Sequence, residues 1–407
     1  MKKLPLAIAV SAAILSSNVM AEASPVEFNG YMRAGTGLGT ESGKNPSFEK
    51  FKLGRLGNEN DLYGEFGFRK EVYNEDGVSF LLDSMIASGV TGNNGWEDGD
   101  FNIAQFNVQA KGLFADKEIV LWAGKRYYQR HDIHITDFYY WNTSGTGGGI
   151  ENIQMGPGRL SVALLQDDGG QFAGNYDDKG DKKYDESVTA YTADIRYAGM
   201  PLWSGAELEV GFNYSYANEK NNQTLVADDG MMGTAIITQG FEGGFNKTVL
   251  QAGSGSYGAQ MVQYGSGAWY DRSGDNNDAT GFRIINWGVA SFGDSIEFGH
   301  QVMFASGSDV GGTDTDDTSY NLVVRPMYKW NQHMRTIVEL GAFAETINNV
   351  DAGGSKFTIA QAWSAGNSFW ARPEIRIFSS YITDNEGTAL NGADNEISVG
   401  IQAEAWW

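Results

Sequence analysis

Apolar and polar side chains alternate with a period of two, in segments of about ten residues, from one end of this chain to the other. Phe28, Gly30, Met32 and Ala34 fall on one face of residues 28–34, while Asn29, Tyr31 and Arg33 fall on the other. Leu62, Gly64, Phe66 and Phe68 oppose Tyr63, Glu65 and Arg69 in the same way. Near the C-terminus Ile397, Val399, Ile401 and Ala403 oppose Glu396, Ser398, Gln402 and Glu404. The period recurs at 104–111, 208–217, 296–304 and 374–377, and it places Ala104 on the apolar face with Phe106 and Val108. Such segments are strands with one greasy and one polar face. Alternation alone leaves a soluble sandwich open beside a membrane barrel.

Size and economy decide between them. A sandwich of the 386 residues that follow residue 21 would normally split into domains, yet the chain has no linker, proline-rich hinge or composition shift. A closed barrel needs no split, because its lipid-facing and inward surfaces both run the length of every strand. Residues 1–21 read as an export signal: Lys2 and Lys3, an apolar run through Leu6–Leu15, then small residues that place cleavage after Ala21 or Ala23. Residues 24–407 are then one outer-membrane barrel domain. No later segment reaches the roughly 18 consecutive apolar residues of a spanning helix. The formal charge of −22 becomes more negative when the two lysines leave, which argues against nucleic acid or an anionic surface as partner. With no cysteine, thiolate nucleophiles, thiolate metal sites and disulfides are ruled out.

The connections are of two kinds. Asn74-Glu75-Asp76-Gly77 suits a tight turn, whereas the tracts at 91–100, 166–186, 218–232, 264–280 and 305–318 are long, polar and rich in glycine and aspartate. Short turns on one side and long loops on the other are the asymmetry of an outer-membrane barrel. Trp407 ends the last strand on an aromatic, a lipid anchor and targeting feature.

Leu121–Asn152 carries the chemistry. Phe138, Tyr139, Tyr140 and Trp141 follow closely on Lys125, Arg126, Arg130, His131, Asp132 and Asp137. Flat rings stack on the C–H faces of a pyranose, and guanidinium or carboxylate forks pair with its hydroxyls. The alternative is an irregular loop whose rings fill a core. His131, Asp132, His134 and Asp137 are potential metal ligands, but an extended backbone points the two histidines to opposite faces, so no metal is expected. Gly145–Gly149 lacks the Lys-Ser/Thr of a phosphate loop and reads as a flexible turn. The Gly-Ser tracts at 253–256 and 265–267 read as polar loops without the strand-turn-helix setting of a nucleophile elbow, so nothing supports an enzyme.

The block WAGKRYYQRHDIHITDFYYWNTSGTGGGIENI resembles the most distinctive stretch of the maltoporin family of outer-membrane glycoporins. The likeness continues through VEFNGYMRAG, FRIINWGVASFGDS, RPMYKW, SFWARPEIRIF and the terminal WW. It implies an antiparallel transmembrane barrel of about 18 strands in outer-membrane lipid, assembled as a homotrimer and narrowed by an inward-folded loop. It also implies passive diffusion of maltose and maltodextrins, without catalysis or cofactor. The family's aromatic slide falls on Tyr31, Tyr63, Phe245, Trp370 and Trp406, with Trp96 reaching in from a neighbouring subunit. Tyr31, Tyr63, Trp370 and Trp406 are all expected on the polar faces of alternating segments. The flanking ionic tracks fall on Arg33, Glu65, Arg130, Asp132 and Asp137, with Tyr139 at the narrowest point. Many weak, exchangeable contacts would let a sugar shed water without entering one deep well. Ala104 stands where the family has a further constriction arginine, the family's loop disulfide is absent, and the last long loop shrinks to Thr383–Asn395. A sucrose-type or broader sugar porin is the main alternative and a barrel enzyme a weaker one; phage or other loop-binding partners are left open.

Overall fold

The computed structural model describes residues 24–91, 101–166, 171–176, 182–185, 188–219, 227–386 and 390–407. Trp96 and the expected signal at 1–21 lie outside these residues. The wall opens with β1 (Glu27–Gly39), β2 (Asp61–Glu75), β3 (Val78–Thr91), β4 (Phe101–Lys111) and β5 (Val120–Arg126). The chain then leaves the wall as an inward hairpin, β6 (His131–Ile133) and β7 (Phe138–Trp141), and rejoins it as β8 (Gly145–Met155) and β9 (Gly158–Gln166). A separate ribbon, β10 (Gln171–Tyr176) and β11 (Lys182–Asp185), precedes β12 (Val188–Pro201), β13 (Ala206–Glu219), β14 (Gly230–Phe241) and β15 (Gly244–Ser254). The ring continues through β16 (Thr280–Phe292), β17 (Ile296–Ser308), β18 (Asp316–Lys329) and β19 (Met334–Ile347). It ends with β20 (Val350–Ser364), β21 (Glu374–Asp384) and β22 (Asn395–Trp406).

These elements make an 18-stranded antiparallel sheet that closes on itself. β1 pairs with β2 from Glu27 opposite Arg69 to Arg33 opposite Tyr63. It also pairs with β22 from Tyr31 opposite Trp406 to Gly39 opposite Ser398, so no edge is left unpaired. The alternation read from the sequence becomes two surfaces. Phe28, Leu62, Val210, Ile377 and Val399 are exposed on the outside, while Gln301, Glu339, Arg376 and Glu404 are buried on the inside. The inner face is polar yet largely dry, because, among the described residues, three connections from one end fold back into the lumen against it, met from the other end by Phe369 of 365–373.

Those connections share one end of the barrel: residues 40–60 with the short helix α1 (Lys50–Leu53), the β6–β7 hairpin, and residues 255–279 with α2 (Ser256–Val262). Leu56, Ile133, Ile135, Phe138, Tyr140, Trp141, Tyr257, Met261 and Tyr264 join in one buried cluster inside the wall. At the other end the turns are short, as at Asp76-Gly77, where φ of 52° and 76° suits Asp and Gly.

Four local readings need correction. The tract 305–318 is strand at both ends, with Ser306 opposite Thr318 in the β17–β18 ladder, and only 309–315 form the connection. Gly145–Gly149 is not a turn but the start of β8, and a Cβ at Gly147 would collide with the Leu164 carbonyl of β9. Gly253–Ser256 does run from strand through turn to helix. Ser256 Oγ, however, accepts from the amide of Asp271 and from Gln260, not from a histidine. Ala104 leaves the apolar face: pairing with β3 slips between Met85 and Ile86, a bulge that turns Ile103 and Phe106 outward and buries Ala104.

Candidate functional site: the inward constriction

The wall fixes the hairpin by offering side-chain donors to its backbone. Arg283 Nη2 and Gln251 Nε2 donate to the Tyr140 carbonyl at 2.7 and 3.0 Å. Arg325 Nη2 reaches the Ile135 carbonyl at 3.1 Å, and Arg196 Nη1 the Gln129 carbonyl at 2.6 Å. Trp141 donates its indole N–H to Asn213 at 2.9 Å, with the Arg196 guanidinium 3.7 Å from its ring centroid. A buried irregular loop must have its carbonyls satisfied, and here alternating polar residues of β12 to β18 do so. Residues 40–60 are held alike: Lys356 Nζ donates to the carbonyls of Gly54 and Leu56, both at 2.8 Å, and to Glu339. The two loops then lock together through the Arg55 amide and Ile135 carbonyl at 3.0 Å and through Phe51 and Phe138, 5.8 Å apart.

Where the loops meet, the expected ionic residues converge in part. Arg33 donates to Asp61 through Nε at 2.9 Å and to Asp137 through Nη1 at 3.2 Å. Lys50 Nζ reaches Asp137 at 2.7 Å. Asp137 holds φ of 54° in the hairpin turn, a conformation that aspartate tolerates. Glu65 accepts from the Tyr63 hydroxyl at 2.7 Å. Arg130 lies against two rings, 3.6 Å from the Tyr127 centroid and 4.8 Å from that of Tyr139. Burial pushes the Asp132 carboxyl above the ordinary carboxylate range; Arg130 pulls it back and Asp137 adds to the rise.

An aromatic run descends from this cluster toward the short-turn end. Tyr63 and Tyr31 lie 6.1 Å apart, and Tyr31 is the cross-strand partner of Trp406. The His134 ring then sits 5.5 Å from Trp406 and 5.6 Å from Trp370. Trp370 is not on an alternating strand as expected: it projects from the connection 365–373 between β20 and β21, so strand parity does not govern it. Phe245 stands far round the wall on β15, with Trp287 5.2 Å away edge-on. Trp96 lies outside the described residues.

Several members of the site are not apparent from the sequence. Glu404 accepts from the Tyr31 hydroxyl at 2.9 Å and pairs with Arg55, Arg372 and Arg376 at 2.9, 2.7 and 3.2 Å. Arg372 also lies 4.4 Å over the Trp406 ring. His134 lies between Arg372, 3.0 Å from its Nε2, and Arg55. Burial drives the His134 imidazole well below its usual value; Glu404 opposes this, and Arg55 and Arg372 reinforce it. A neutral ring accepting from a guanidinium is no metal ligand, and no cluster of potential metal ligands occurs among the described residues. The cations of KFKLGRLGNEN, Lys50, Lys52 and Arg55, are the hint the sequence carries that residues 40–60 turn inward.

The arrangement sets rings along one side of the lumen and paired, partly exposed charges beside them. Known proteins share both chain and fold. Maltoporin of Vibrio cholerae serotype O1 is 48% identical over 422 residues, covering 98% of each chain. Maltoporin of Photobacterium profundum is 46% identical over 432 residues, covering 99% of this chain and 98% of that one. Pseudomonas aeruginosa OpdQ matches in structure with a TM-score of 0.53 at 10% identity, over 94% of this chain and 99% of that one, a likeness of barrel alone. Residues 26–407 match the LamB porin family, and the chain belongs to it.

Proposed function

We propose that this porin carries maltose and maltodextrins across the outer membrane by passive diffusion, with the inward constriction as the selective element. The observation that carries the reading is the series of rings Tyr63, Tyr31, Trp406, His134 and Trp370 beside the ionic cluster. A glucan chain offers its apolar faces to the rings, and its hydroxyls exchange hydrogen bonds with Arg33, Glu65, Arg130, Asp132 and Asp137. Tyr139 sets the bore, and Phe245 and Trp96 extend the slide. Contacts of this kind are individually weak, which lets the sugar advance. Three copies assemble in outer-membrane lipid after removal of residues 1–21. The channel is a porin and performs no chemistry, so no cofactor enters.

The test is to titrate the ionic current of reconstituted channels with a maltodextrin series. Block should strengthen as the chain grows from two toward several glucose units. Equal block by sucrose would refute the maltodextrin assignment and leave the sucrose-type or broader porin in its place.

A further inference from the structure

Three buried carboxylates of the lumen come with a cation: Glu339, Glu374 and Glu404 each meet an arginine or lysine within 3.0 Å. Glu396, near the start of β22 at the long-loop end, is fully buried and has none. Among the described residues no arginine, lysine or histidine stands within ion-pair distance of it. Its Oε1 accepts from the main-chain amides of Glu41 and Ser42, both at 3.1 Å, and its Oε2 has no partner. Two further buried oxygens in this part of the wall are unpartnered as well, Ser398 Oγ and Asn45 Oδ1.

Two glycines of β1 make room for this group. Ser398 shares the inner face of β22 with Glu396 and stands opposite Gly39. The Glu396 carboxylate lies over that same glycine with the Lys44 carbonyl beside it, where a Cβ would collide with both. Asn45 lies over Gly37, two residues back on the same face of β1. Its amide nitrogen donates to the Glu59 carbonyl at 2.8 Å, which leaves Oδ1 against Gly37. A buried carboxylate without a counter-charge is strongly disfavoured, and each unpartnered oxygen adds to the cost. A metal cation meets all three oxygens at once. Carboxylate, amide and hydroxyl oxygens, with a main-chain carbonyl at hand, are hard ligands of the mixed kind that calcium accepts, whereas magnesium demands a stricter octahedron and keeps its water. With a single carboxylate the set differs from a histidine or acidic metal cluster, of which the described residues hold none.

We propose that Glu396, Ser398 and Asn45 bind a calcium ion that fastens residues 40–60 to β22 at the long-loop end. That connection carries Lys50 and Arg55 to the constriction, and both pair with Glu59, whose carbonyl Asn45 holds. The ion steadies one side of the bore from the outer end of the barrel, whichever sugar passes. One carboxylate sets a weak affinity, with Kd about 0.1–1 mM.

The experiment follows thermal unfolding of the detergent-solubilised protein in EGTA and across a calcium chloride titration, for wild type, Glu396→Gln and Ser398→Ala. Calcium at about 10 mM should raise the unfolding temperature of wild type by about 2–5 °C, and magnesium at the same concentration by less. Glu396→Gln keeps the shape of the side chain and removes its charge. It should abolish the rise, and in EGTA it should unfold no lower than wild type. Ser398→Ala should fold and need several times more calcium for the same rise. A wild type that ignores calcium, or answers magnesium equally, overturns the site. A rise that survives in Glu396→Gln places the ion elsewhere, as on lipid phosphates, and overturns it too. If Glu396→Gln fails to fold, Ser398→Ala decides, and an unshifted calcium midpoint there refutes the site.

Discussion

Two groups of arginines in the barrel are held in opposite ways. Arg376, on β21, is buried among Glu374, Glu404 and Gln402, with carboxylates at 3.0 and 3.2 Å. Arg130, at the base of the hairpin, is half-buried and lies between the faces of Tyr127 and Tyr139. An ion pair satisfies a guanidinium's in-plane donors, whereas a ring beneath its face leaves their directions open. The first arrangement suits a group that must never move, the second a group that trades partners with passing hydroxyls. Charge alone therefore does not separate Arg130 from Arg376, and Arg33 combines the two arrangements, ion-paired to Asp61 and Asp137 while lying 5.1 Å over the Tyr63 ring.

The largest test of that contrast is Glu404→Ala. It removes one carboxylate partner each from the buried Arg55, Arg372 and Arg376, and the acceptor of Tyr31. Stability should fall by about 3–5 kcal/mol, read as a lower temperature for unfolding of the detergent-solubilised barrel. On the opposite face of the same strand, Ile401→Lys puts a charge toward lipid from a side chain that is 46% exposed there. Its cost should be about 2–4 kcal/mol near the membrane midplane, measured by urea titration in lipid vesicles. Tyr139→Ala should leave folding nearly untouched, raise single-channel conductance and weaken maltotriose block by about tenfold, a loss of about 1.4 kcal/mol. Should Tyr139→Ala prove as destabilising as Glu404→Ala, the distinction between held and working groups collapses.

The smallest effect concerns pH. Because burial raises the Asp132 carboxyl, that group protonates nearer neutrality than an ordinary aspartate. As an acceptor for sugar hydroxyls it is lost as pH falls through the raised value, so block should weaken on acidification. Its contribution to stability runs the other way: it is fully present below the unfolded carboxylate pKa and lost as pH rises through the folded one. Asp132→Asn should flatten both trends, compared by current block and by unfolding at pH 5 and pH 8.

Much of this was legible in the residues. Alternation in β1, β2 and β22 told which side of Tyr31, Tyr63, Arg33 and Trp406 faces inward, because a strand's side chains change face at every step. It failed where backbone geometry breaks that rule. The bulge at Ala104 shifts the face by one residue, and Trp370 leaves the strand altogether. The glycines from Gly145 onward read as a turn because close approach between β8 and β9 leaves no signature in a single segment.

The sequence by itself determined the barrel and its inside and outside, since each depends on local period and residue type; of the hairpin's four successive rings, Phe138, Tyr140 and Trp141 went to the buried cluster. Only the tertiary structure decided that residues 40–60 and 255–279 also enter the lumen, that His134 bridges Trp406 and Trp370, and that Glu404 gathers three arginines. Those contacts join residues on different elements, some, such as Arg55 with Glu404 and His134 with Trp406, from opposite ends of the chain, and what selects them is the requirement that every buried carbonyl and charge in a closed wall find a partner.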